Sequence, residues 1–160
     1  MIVPAALLDA VQPWASLYGN SQPVSVGVVF LHLAGLMVGG GRAIAADADV
    51  LATRAVDPAL LERLRRAHHV VAPGLAVVFA TGALMAASDL ELFAASGAFA
   101  VKLGLVALLA ANGCVLWLSE RRLPGGASDS AWRITRLSAG ASLVLWLATL
   151  LAGCWLKVAA

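Results

Sequence analysis

Four stretches of this chain are apolar for long enough to cross a lipid bilayer, and that pattern decides most of what the chain can fold into. They are residues 24–46, 68–88, 97–119 and 134–157. A helix needs about 20 apolar residues to cross a hydrocarbon layer of roughly 30 Å, and each stretch supplies them. The composition agrees: 61% of residues are hydrophobic and only 12% are charged. A soluble domain of this size carries roughly a quarter charged residues, so this chain cannot cover a water-facing surface. The reading is an all-α, four-helix transmembrane bundle forming a single membrane domain over residues 1–160, with the lipid bilayer as its first partner.

The segments between the spans have their own signals. In residues 1–22, Leu7, Leu8, Val11, Trp14, Ala15 and Tyr18 recur at helical spacing, with Asp9, Gln12 and Ser16 on another face. That predicts an amphipathic helix lying in the membrane interface, bent at Pro13 and ended by Gly19-Asn20-Ser21. No Lys or Arg precedes its apolar part, so it does not read as a signal peptide. A polar loop is expected over residues 47–56. Asp57-Pro58 then supplies an N-cap and an N1 proline for a long helix. That helix starts in water, enters the membrane near His68-His69, and is kinked at Pro73. An acidic link at 89–96 and a loop at 120–130 (ERRLPGGASDS) separate the remaining spans.

Arginines set the orientation. Arg42, Arg54, Arg63, Arg65 and Arg66 follow the first span, and Arg121, Arg122, Arg133 and Arg136 surround the loop after the third. The N-terminal segment has none. The positive-inside rule makes both arginine-rich loops cytoplasmic and leaves both termini outside.

Orientation fixes depth, at about 1.5 Å per residue. His32 falls about 12 Å below the outer surface, Lys102 about 8 Å, and Thr81 and Thr149 about 10 to 12 Å. Each span thus contributes one polar residue to a common outer layer. An ionisable group inside a membrane helix is a candidate functional residue, because burying it is costly without a partner. Gly35 and Gly39 share the His32 face and leave room either for a flat ligand or for a neighbouring helix. A neutral imidazole suits haem iron as an axial ligand. The plainer alternative is a hydrogen bond from His32 to the next helix. Lys102 has three readings: a second ligand, a partner for an anion, or a side chain snorkelling to the outer surface. The threonines either join this layer or bond back to their own helices.

At the other end, His68 and His69 point about 100° apart on a helix. They cannot clamp one metal together, so one faces the bundle and the other the headgroups. Each remains, with His32, a candidate metal ligand, although His32 and His69 lie about 15 Å apart by helix rise. Asp47 and Asp49 are placed to pair with Arg42 or a histidine. Asn112 reads as a contact between helices, and Gly35/Gly39, Gly97/Gly104/Ala111 and Ser138/Ser142 as small-residue packing surfaces. Cys114 and Cys154, in different spans and at different depths, read as small buried hydrophobes rather than a disulfide. No phosphate loop, HExxH, CxxC, basic nucleic-acid stripe or nucleophile–base set is present.

The segments FLHLAGLMVGGGRAIAAD, ERLRRAHHVVAPGLAVVFATGALMAASD and FAVKLGLVALLAAN, with a fourth span ending LWLATLLAGCW, resemble a group of small bacterial four-helix membrane proteins. That group has no assigned activity and lies near the CopD-like and HemJ-like proteins. The likeness covers residues 24–156, most specifically His32 with Gly35, Thr81-Gly82, and residues 99–103 with Lys102. HemJ-like proteins bind b-type haem and take part in protoporphyrinogen oxidation, and CopD-like proteins are linked to copper handling. The resemblance implies haem or substrate contacts at His32 and Lys102, Arg42 near a cytoplasmic propionate or anion, and residence in the bacterial inner membrane. Asn112 and Cys114 stand where a second histidine would be expected, and three methionines make no copper-handling pattern.

Three function classes follow. The leading one is a b-type haem or porphyrin-binding redox protein, with His32 as axial ligand and Lys102, Gly35, Arg42 and Thr81 around the cofactor. The second is a non-enzymatic subunit, in a homo-oligomer or larger membrane complex. The third is a permease for a metal ion or small solute.

Overall fold

The computed structural model describes residues 3–123 and 129–159, and among them there are helices and no strands. Helix α1 spans Ala5–Asn20. Helix α2, Gln22–Gly35, runs through a π-helical turn, Leu36–Gly40, into α3, Gly41–Ala52. The three form one unbroken rod. Then come α4 (Pro58–Ser88), the short α5 (Leu90–Ala95), α6 (Gly97–Glu120) and α7 (Asp129–Ala159). Among the described residues, four rods are long and apolar enough to cross a membrane: Gln22–Ala52, α4, α6 and α7. Helices suit that setting because each satisfies its backbone hydrogen bonds internally.

The breaks between rods follow local chemistry. Asp57 accepts a hydrogen bond from the Leu60 N–H at 2.6 Å, with Pro58 at the first helical position, as the Asp-Pro signal predicts. Asp89 and Ser96 cap α5 and α6 in the same way, each at 3.3 Å. Pro73 sits inside α4 without ending it. One boundary differs from expectation: residues 47–52 are not loop but the last turns of α3. Alanines and a leucine favour helix there. Arg136 of α7 also reaches the carbonyls of Val50 and Thr53, satisfying acceptors that a helix C-terminus leaves open. In the loop expected over 120–130, α6 ends at Glu120 and α7 begins at Asp129, while residues 124–128 lie outside the described residues.

The rods do not pack evenly. α2 and the π turn lie on α4, α6 lies on α7, and α3 joins the two pairs by packing on both α4 and α7. Around that junction sits the core, Val50, Leu60, Leu64 and Ala139, with Leu116 and Trp132 against it. The junction is at the arginine-rich end. At the far end, α1 is tied to α4 by the Trp14 indole N–H, which donates to the Leu84 carbonyl at 2.8 Å.

Glycines set the closest crossing. A Cβ on Gly39 would stand 2.9 Å from the Gly74 Cα, and one on Gly35 would stand 2.9 Å from Val78 Cγ2. Backbone meets backbone here, which the pair Gly35/Gly39 alone could not say. Gly40, turned another way by the π turn, receives the ring of Trp146 from α7. Ser138 and Asn112 bond reciprocally, Ser138 Oγ to Asn112 Oδ1 at 2.9 Å and Asn112 Nδ2 to the Ser138 carbonyl at 3.0 Å. Asn112 is therefore the helix–helix contact the sequence predicts. Among the described residues nothing packs on the Gly97/Gly104 surface, since none lies within 4 Å of a Cβ built at either. Asn112 lies about 80° around α6 from Gly104 at 100° per residue, so the side of α6 that it holds against Ser138 is not the glycine side. Cys114 and Cys154 are free and exposed on the outside of the bundle rather than buried in it.

Candidate functional site

The site begins with the glycine crossing. Because α2 and α4 run antiparallel through Gly39 and Gly74, positions equally far from the crossing face each other. His32 is seven residues before Gly39 and Thr81 is seven after Gly74, about 10 Å along each axis. They meet: His32 Nδ1 lies 2.9 Å from Thr81 Oγ1. Gly82 leaves room for the ring, since a Cβ there would be 3.4 Å from His32 Cε1.

Thr81 Oγ1 also lies 2.6 Å from the Val77 carbonyl and 3.2 Å from the Val78 carbonyl, so its one hydrogen has a carbonyl to go to. With the hydroxyl hydrogen on a carbonyl, the oxygen accepts from His32, and Nδ1 carries the ring hydrogen in that arrangement. In a neutral ring Nε2 is then an exposed lone pair. Nε2 has no hydrogen-bond partner among the described residues. Two sequence alternatives, a ligand-type histidine and a histidine bonded to the next helix, thus describe opposite edges of one ring.

Lys102, on α6, approaches from the other helix pair. Its Nζ lies beside Gly153 of α7, 3.7 Å from where a Cβ would stand. The ammonium is near enough to His32 to act on it electrostatically. It makes no ion pair or hydrogen bond among the described residues. One turn before Gly153 on α7, the Thr149 hydroxyl is buried and also without a partner among them. An imidazole nitrogen, an ammonium and a hydroxyl are thus left over in one part of the bundle, where α2/α4 faces α6/α7.

The remaining predicted residues lie elsewhere. Gly35 is filled by α4 and offers no floor to a flat ligand. Arg42 is ten residues beyond His32 on the same rod, about 15 Å along it, and donates to the Arg63 carbonyl at 3.2 Å. His68 faces the bundle and its Nε2 is 2.6 Å from Glu120 Oε2, whereas His69 is exposed. Among the described residues no three His, Cys, Asp or Glu side chains come together as a metal site. Asp49 pairs with Arg63 at 3.4 Å, as an interfacial ion pair should, but Asp47 pairs with no arginine. It is buried against α7, only 2% exposed.

Sequence reasoning missed Glu120 as the partner of His68, because the pair is 52 positions apart. It placed Asp47 in a loop. A usable signal existed, since Asp47 follows Gly40 at seven residues and precedes Val50 at three, all on one helical face.

Comparison with protein-family models, curated proteins and solved structures finds no match to this chain. The likeness to CopD-like and HemJ-like proteins therefore rests on the quoted segments alone, and side-chain geometry carries the functional reading.

Proposed function

We propose that this chain is a multi-pass protein of the bacterial inner membrane that binds a b-type haem or related porphyrin through His32 and serves electron transfer. One observation carries the reading, the 2.9 Å contact of His32 Nδ1 with Thr81 Oγ1: with Nδ1–H held there, Nε2 is left as a bare donor within the span. Histidine ligands commonly have their second nitrogen fixed this way, which orients the ring and raises its basicity. In this reading the arginine-rich ends are cytoplasmic, both termini are outside, and His32 lies in the outer leaflet with α1 in the adjoining interface.

The donor set fits such a group in part. His32 would hold the iron through Nε2, and the unpaired Lys102 ammonium would suit a propionate or serve as a further ligand. No second histidine lies beside His32. When bound, the group would supply one-electron chemistry. The chain's own residues hold the imidazole and set the local charge. Absorption spectra of detergent-purified protein, oxidised and reduced, after expression with ample haem provide the test. The reading expects a Soret band that His32→Ala removes. No band overturns it, and a band lost only with His68→Ala or His69→Ala moves the site to the arginine-rich end.

A second reading, a subunit of a homo-oligomer or larger complex, is favoured by the open Gly97/Gly104 face of α6. Small residues let a further helix approach closely in lipid. A colourless protein that co-purifies with partner chains would support it.

A further inference from the structure

Where α3 ends and α7 begins, the arginine-rich end opens into a cleft of about 400 Å³. It is lined by Leu51 of α3 and by Asp129, Trp132, Arg133, Arg136 and Leu137 of α7. None of them belongs to the His32 site. Val50, which Arg136 reaches, is eighteen residues beyond His32 on the same rod, about 27 Å along it.

The two arginines are placed for an oxyanion. Arg136 is held from two sides: its Nη1 donates to the carbonyls of Val50 and Thr53, and its guanidinium lies 5.7 Å from the Trp132 ring centre. Trp132 is fixed in turn, its indole N–H donating to the Arg54 carbonyl at 3.3 Å. The Nε and Nη2 groups of Arg136 have no partner among the described residues, and the exposed Arg133 side chain has none either. Neither arginine forms an ion pair among those residues. Carbonyls carry no net charge, so both guanidinium groups stay uncompensated. Against the two stands one carboxylate, Asp129, which leaves the cleft a surplus of one positive charge. A phosphodiester carries one negative charge and offers two free oxygens to a planar guanidinium.

What adjoins the cleft distinguishes a lipid from a soluble phosphate. Leu137 on its wall is 69% exposed, and Val144 and Leu151 continue that face of α7 at seven-residue spacing, 67% and 71% exposed. An apolar track therefore leads from the guanidinium groups into the span. Charge first and hydrocarbon after it is the order of a phospholipid, headgroup and then acyl chain. Trp132 also lines the cleft, and tryptophan is favoured at headgroup level.

We propose that this cleft binds one anionic phospholipid, its phosphodiester on Arg133 and Arg136 and an acyl chain along Leu137, Val144 and Leu151. Basic pockets between membrane helices take such headgroups. Phosphatidylglycerol matches the chemistry, with one negative charge and headgroup hydroxyls that can donate to Asp129. The site is independent of any ligand at His32.

Native mass spectrometry of the detergent-purified full chain, titrated with phosphatidylglycerol or with phosphatidylcholine of the same acyl chains, tests the assignment. Wild type is expected to retain one phosphatidylglycerol about tenfold more tightly than phosphatidylcholine. Arg133→Gln is expected to weaken that binding about tenfold. Arg66→Gln, which removes the same charge from the same end but outside the cleft, is expected to change it less than about twofold. Arg133 makes no side-chain bond among the described residues, and unchanged helical circular dichroism separates loss of the site from loss of the fold. Glycerophosphoglycerol, the same headgroup without acyl chains, is expected not to displace the lipid. Equal retention of the two lipids, or retention of neither, overturns the proposal. So do equal losses at Arg133 and Arg66, the mark of diffuse attraction, or displacement by glycerophosphoglycerol, the mark of a soluble phosphate ligand.

Discussion

The two ends of this bundle are built on different terms. At the arginine-rich end, all four rods converge on one core, Leu116 of α6 packing against residues of α3, α4 and α7, and most polar groups near it are satisfied across helices. Arg136 closes the carbonyls of α3, Ser119 meets Thr135 at 3.0 Å, and Asn112 and Ser138 exchange bonds. At the far end the rods stand as two pairs, and His32 Nε2, the Lys102 ammonium and the Thr149 hydroxyl have no partners among the described residues. Unsatisfied polar groups are costly in lipid. In the reading proposed above, their concentration at one end marks the ligand site. Asp47 is the exception that sharpens the contrast, one orphaned oxygen set inside the well-knit end.

The contrast is open to direct attack. The largest expected effect is on the glycine crossing: Gly39→Ala or Gly74→Ala must push backbone from backbone. Each should cost about 1–3 kcal/mol in unfolding, measured by denaturant titration in mixed micelles. Gly41→Ala, with nothing within 4 Å, should stay within about 0.5 kcal/mol. Equal costs at Gly39 and Gly41 would break the packing account. Next, Thr81→Val keeps the shape but removes the oxygen that accepts Nδ1–H. Porphyrin affinity should fall about 10–100-fold with unfolding nearly unchanged, which separates a far-end role from a structural one.

Asn112→Ala makes the reverse test. It should cost about 1 kcal/mol of stability and leave ligand affinity at His32 untouched. The smallest effect belongs to Gly104→Ala, which should leave unfolding of the monomer within about 0.5 kcal/mol. If it also weakens self-association in detergent, the open face of α6 is an interface between chains.

Much of this was legible in the sequence, for reasons that can be named. Span length and arginine placement are one-dimensional signals, so the four rods follow from them, as do the caps at Asp57 and Ser96. The His32–Thr81 contact was legible because helix rise converts position into depth and puts the two residues at one level. Rotation about each axis was not legible. Whether Gly35 faces a ligand or a helix depends on where α4 sits, and whether Gly97/Gly104 is covered depends on how α6 is rotated against α7. Arg42 is a different case: the resemblance put it near a cytoplasmic propionate or anion, and continuous helix carries it about 15 Å along the rod from His32. Asp47 was lost because a polar run was read as a loop, although Arg136, 86 positions from Val50, closes that helix from another rod.

The measurement that bears most directly on the far-end site is the protonation of the His32 ring. Nitrogen-15 NMR of histidine-labelled protein in lipid, prepared without haem and assigned by loss of the signal in His32→Gln, reads both ring nitrogens. The account expects hydrogen on Nδ1 and a bare Nε2 at neutral pH, with that preference lost in Thr81→Val. Hydrogen found on Nε2, or a tautomer indifferent to Thr81, would contradict it and leave His32 without a free donor.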